Sequence, residues 1–230
     1  MNSFENRVTA ACAFLGGVLL GIGTSIHPMH ADPNNAVAAF TEYAAHNDWI
    51  ASHLLQFAGV TALIAFMLLL ARDLGGNFAG LRPLAWGGAI ACLAVAAMLQ
   101  AVDGVALKAT VDAWAAALEA DKPAAFAAAF AVRQIEIGLA SLLSILFGAT
   151  SGVYGLLLYS DGRYPVWIGG VAVASGIGFA VGGVVMAHTG FSATTLDIQM
   201  PASLLLLAWI TAVAAILWRR SQVPTPPVVK

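Results

Sequence analysis

Six apolar stretches, each long enough to cross a bilayer, constrain this 230-residue chain more than any motif in it. A spanning helix needs about 20 mostly apolar residues. The stretches lie at about 8–26, 49–70, 84–105, 130–158, 166–187 and 202–218. Of all residues, 60% are hydrophobic and 10% charged, whereas a soluble domain carries about 25% charged residues. A soluble core of this size has no room for so much apolar surface, so lipid is the natural solvent. The expected fold is all-α: one polytopic integral membrane domain of six transmembrane helices, with short amphipathic helices on the outer side.

The breaks between spans are legible. Pro28 ends the first helix, because the residue before proline avoids the α region. The N-terminus reads as a retained helix rather than a cleaved signal, since its charged region is nearly neutral and its apolar run is long. HADPNNAVAAFTEYAAHND follows, with a short interfacial helix expected over 35–45. Asn47 or Asp48 is placed to cap the second span. ALKATVDAWAAALEA, at 106–120, reads as a second amphipathic piece. Asp121 and Pro123 read as cap and first turn of a fourth helix reaching Tyr159. That helix is too long for a bilayer and must protrude or tilt. Residues 221–230 read as a disordered cytoplasmic tail.

Basic residues orient the chain. The side holding both termini carries Arg7, Arg72, Arg82, Arg163, Arg219, Arg220 and Lys230; the other carries Lys108, Lys122 and Arg133. Both termini are therefore expected in the cytoplasm, with the chain in a plasma (inner) membrane of bacterial type. The net charge of -2, without a basic patch, excludes nucleic acid as a partner. Cys12 and Cys92 sit in apolar runs and form no CxxC site.

Polar residues recur at one depth, the outer third of the bilayer. They are His27 after helix one, His53 and Gln56 in helix two, and Gln100 and Asp103 in helix three. Arg133, Gln134 and Glu136 lie in helix four, and His188 ends helix five. Unpaired polar groups in hydrocarbon cost several kcal/mol, so these must face each other, water or a ligand. A shared outward-facing pocket is the economical reading. His46 and His53 are seven apart, and Arg133 and Glu136 three apart, spacings that share a helix face.

Imidazoles with a carboxylate suit a transition metal. His27, His53 and His188 with Asp103 or Glu136 would fill a tetrahedral shell, and two of the histidines would alternatively ligate a haem axially. HPMH offers a His and Met mixture that copper accepts. HExxH, GxSxG and Walker sequences are absent. The same groups serve equally in a transporter or binding protein for a small solute or protons.

Each residue also has a plain structural role open to it. His27 and His188 would be helix-end residues at headgroup level, and His30 and His46 solvated. His53 would bond Asp103 or a carbonyl, and Arg133 would pair with Glu136. The motifs Gly17-x-x-x-Gly21, Gly148-x-x-x-Gly152 and Gly178-x-x-x-Gly182 are close-packing faces, for neighbouring helices, for a second copy of the chain, or for partners of an assembly subunit.

Overall fold

The computed structural model describes residues 1–222. All regular structure among them is helical. The spans are α1 (Ser3–Ser25), α3 (Trp49–Asp73), α4 (Arg82–Gln100), α6 (Lys122–Ser160), α7 (Val166–Thr189) and α8 (Ala193–Ser221). Two short helices, α2 (Ala36–Ala45) and α5 (Lys108–Ala116), complete the set, and a 3₁₀ turn, Ala79–Leu81, precedes α4. Six helices are thus long and apolar enough to cross a membrane.

Local chemistry sets the ends. Asn2 and Glu5 form a capping box at α1, and the side chains of Asn35 and Ser192 cap α2 and α8. Asp48 and Asp121 occupy N-cap positions without a side-chain cap bond.

Several boundaries differ from the sequence reading. The third span does not stop near residue 105. It passes through a π-helical stretch, Ala101–Leu107, directly into α5, so 106–120 is not a separate piece. The sixth begins at Ala193, ahead of Pro201, because Ser192 supplies the cap and proline is tolerated within the helix. Ser221 is still helical; the remaining tail residues, 223–230, lie outside the described residues.

The glycine faces also differ. A Cβ on Gly17, Gly21 or Gly152 would meet nothing within 4 Å. Gly178 and Gly182 do form a close-packing face, against α8: a Cβ there would lie 2.7 Å from Ala202 Cβ and 2.5 Å from Gln199 Cγ, respectively. A further close approach joins α6 and α7. A Cβ on Gly148 would lie 2.5 Å from the Gly176 carbonyl oxygen, and one on Gly155 2.8 Å from that of Gly169. Spacing of seven, rather than four, marks both faces of that approach.

Contacts put the start of α1 and the end of α8 on one face. Ser3 Oγ donates to the Ser221 carbonyl at 2.6 Å. Nearby, Arg163 in the α6–α7 turn pairs with Asp73 and Asp161, each at 2.6 Å. The first turns of α6 lie at the opposite face. There α2 (Phe40, Tyr43) and α5 (Val111) pack with Trp49 of α3, Leu107 of the π-helical stretch and Ala129 of α6 in one buried apolar cluster. The first turns of the long α6 thereby carry an apolar cap at that end of the bundle.

Candidate functional site

Beneath that cap the outer end of α3 buries Trp49, Ser52 and His53. The π-helical stretch opposite them carries Asp103 and Gly104. Such bulges re-aim side chains within a helix and recur at functional sites. Gly104 sits so near α3 that a Cβ there would come 2.6 Å from His53 Cβ. Its bare Cα therefore allows the two elements to close.

The result is a contact of 3.0 Å between His53 Nε2 and Asp103 Oδ2, with His53 only 2% exposed. On its other side, His53 Nδ1 lies 2.8 Å from the Trp49 carbonyl oxygen. A carbonyl only accepts, so Nδ1 carries a hydrogen. Nε2 then meets a carboxylate oxygen. A lone pair facing a carboxylate repels, so a proton resides on the imidazole or on the carboxyl group. Nε2 is at ion-pair distance yet lacks a well-aligned hydrogen bond, and Asp103 Oδ1 is also without one.

Trp49 organises both partners. Its indole N–H donates to the Asp103 carbonyl at 3.0 Å, while its own carbonyl receives His53. The Trp49 and His53 rings are 4.6 Å apart, and Tyr43 lies 4.3 Å from Trp49. His27 joins the group from the loop after α1, with its ring 5.0 Å from that of His53. His27 Nδ1 donates to the Pro28 carbonyl at 2.8 Å. Burial and the neighbouring His53 hold His27 below the usual imidazole range, so it stays neutral with Nε2 as a lone-pair acceptor.

A second charged pair sits on α6. Arg133 Nη1 donates to both oxygens of Glu136, at 2.8 and 2.7 Å, and both residues are buried. The guanidinium lies over the rings of Phe191, at 4.8 Å, and Tyr43, at 5.6 Å. Asp103 and Glu136 are close enough to interact electrostatically. Arg133 is thus paired with Glu136 and His53 with Asp103, so each basic side chain of the group has a carboxyl partner. Buried charge without compensation is costly.

Of the residues singled out by sequence, His27, His53, Asp103, Arg133 and Glu136 converge beneath the cap. Gln56 and Gln100 sit beside them, linked by a long 3.5 Å contact. Gln134 and His188 are exposed and line a separate outer cleft, reached only by Arg133. His46 caps α2, and a break before α3 separates it from His53, so the seven-residue spacing does not make a shared face. The sequence reading makes Tyr43 an apolar cap residue and Trp49 the start of a span, and places neither of them, nor Phe191, in the site. Trp49 gave a signal, since it opens the span four residues before His53.

The expected four-ligand shell is not assembled. Among the described residues no three His, Cys, Asp or Glu side chains converge as a metal site. Donor chemistry explains why. His53 Nδ1 and both Glu136 oxygens are engaged in hydrogen bonds, His53 Nε2 faces the Asp103 carboxyl group, and His188 is elsewhere. The His27 and His53 rings lie too close together for a macrocycle to fit between them.

A cavity of about 200 Å³ adjoins the group, walled by His27, Glu42, Tyr43, Arg133, Phe191 and Leu196 among others. Burial works against ionisation of Glu42, but the N–H groups of Ala31 and His30 outweigh it and hold the carboxyl below its usual range. On the far side of His53 a lateral groove of about 130 Å³ runs between α3 and α4, lined by Leu54, Phe57, Gln100 and Gly104. No protein family, curated protein or solved structure matches this chain.

Proposed function

We propose that this integral membrane protein is a proton-binding carrier or receptor for a small solute, with its site under the outer cap. The observation that carries the reading is His53, held between the Trp49 carbonyl and the Asp103 carboxylate. That geometry stores a proton in a place lipid would otherwise exclude. His27, neutral and 5.0 Å away at the cavity wall, is placed to pass a proton between cavity and pair.

The metal or haem alternative has less support, because the best donors are already engaged. The excess of arginine and lysine on the terminal face supports cytoplasmic termini in a plasma membrane.

Nitrogen-15 NMR of histidine-labelled protein in lipid nanodiscs tests the reading. His53 is expected to keep Nδ1 protonated across the titration, and Asp103→Asn is expected to change the pH at which its Nε2 signal moves. Titration of His53 indifferent to Asp103→Asn would overturn the reading. So would stoichiometric metal in untagged protein that disappears in His53→Ala.

A further inference from the structure

Arg133 is used on one edge only. Its Nη1 serves Glu136, while Nε, buried and 5% exposed with its residue, has no hydrogen-bond partner. Nη2 reaches only the Pro33 carbonyl, at a long 3.4 Å. Nε and Nη2 together form the side-on edge of a guanidinium. Two parallel N–H groups there match the two oxygens of a carboxylate. A buried donor left without a partner costs free energy, so a ligand that supplies an acceptor gains more than it would at the surface.

The neighbourhood specifies the rest of the ligand. Arg133 lines the cavity of about 200 Å³ together with Phe191, Tyr43 and Leu196. At about 30 Å³ for each water displaced, that space holds a molecule of only a few carbons, or the head of a longer one. The two rings in contact with the guanidinium also line the cavity. Glu42, the other acid of the cavity, is spoken for by two main-chain N–H groups, and Glu136 by Nη1.

We infer that the cavity binds a small apolar carboxylic acid, its carboxyl group seated on the Nε and Nη2 edge of Arg133 and its hydrocarbon against Phe191 and Tyr43. This names the solute class for the proton-binding reading above and rests on it. The ligand enters as the acid and its proton passes to His27 Nε2, the lone-pair acceptor at the cavity wall, so the net charge of the cluster does not change.

Calorimetric titration of the full-length protein in nanodiscs with hexanoate, and with hexanamide as the uncharged isostere, tests the assignment. Hexanoate is expected to bind roughly tenfold or more tightly than hexanamide, the worth of a charge-assisted hydrogen bond. Arg133→Lys keeps the charge and loses the fork, so the preference for acid over amide should collapse. Leu196→Trp fills the cavity from its exposed rim without touching the ion pair, and should weaken both ligands about tenfold or more.

Palmitate competing with hexanoate would identify the source as an outer-leaflet fatty acid; failure to compete would identify a water-borne short acid. Either result keeps the carboxylate site. Equal affinity for acid and amide, binding indifferent to Leu196→Trp, or no binding of either compound overturns it. The His53 nitrogen signals are read in the same samples. If they behave as expected while hexanoate fails to bind, only the acid assignment falls; if they do not, the proton-binding reading falls with it.

Discussion

The indole N–H of Trp49 donates to the main-chain carbonyl of Asp103 across 3.0 Å, tying α3 to the π-helical stretch. The bond is partly buried and spans two elements that also hold the His53 contact. Trp49→Phe keeps an aromatic ring in place and removes the donor, leaving that carbonyl short of a partner. The expected loss is about 1–3 kcal/mol, read as a lower unfolding temperature. The His53 nitrogen signals should broaden in the same variant, because Asp103 is then less firmly placed. An unchanged His53 spectrum would show that the indole does not organise the pair.

Gly104→Ala tests the close approach directly. Its Cβ would lie 2.6 Å from His53 Cβ, so α3 and the π-helical stretch must separate. Overpacking of this kind costs about 1–3 kcal/mol. His53→Ala does not remove the offending Cβ, whereas His53→Gly does. The double variant Gly104→Ala with His53→Gly should therefore be less destabilised than the two singles added together. Strict additivity in thermal unfolding would place the strain elsewhere.

The Arg133–Glu136 pair carries a different cost. Glu136→Gln leaves a buried guanidinium without its counter-charge, which typically costs about 3–5 kcal/mol. Replacing both residues by leucine removes the stranded charge and should restore much of that stability. The double-leucine protein should nevertheless lose hexanoate binding, which separates the fold from the site. Full loss of stability in the double variant would mean that Arg133 matters chiefly through Pro33, Tyr43 and Phe191.

Span number was legible in the sequence because it depends on composition alone. Lipid demands apolar runs, and the runs are long. The depth of His53 was legible for the same reason, since counting residues from the start of a span gives depth. Rotation about the helix axis was not. One residue turns the face by about 100°, at 3.6 residues per turn, so His188 and Gln134 matched the pocket in depth yet point to another cleft.

The π-helical stretch was hidden as well. Nothing in AVDGVAL signals an extra residue per turn, and Asp103-Gly104 reads equally as a helix end. The partners of Arg133 were only half visible. Glu136, three residues on, follows from helix spacing, whereas Phe191 and Pro33 arrive from distant loops.

The terminal face supplies the last prediction, which concerns pH. Burial alone would raise the Asp161 carboxyl. Hydrogen bonds from Arg163 and from the Gly75 and Arg163 N–H groups outweigh that and bring it down to about 2, from a reference of 3.8. A carboxyl held lower in the folded state contributes stability that is fully present above the unfolded value. That stability is lost as pH falls through the folded one. The contribution should therefore be constant at neutral pH and decline from about pH 4 down to about pH 2. Asp161→Asn removes the titrating group while keeping its shape. The variant should be less stable than wild type at pH 7, with the gap narrowing across that acid window. Unfolding temperatures of both proteins in nanodiscs at several pH values give the comparison. A gap that stays constant to pH 2 would show that Asp161 holds the α6–α7 turn through shape and neutral hydrogen bonds, and that its charge contributes nothing.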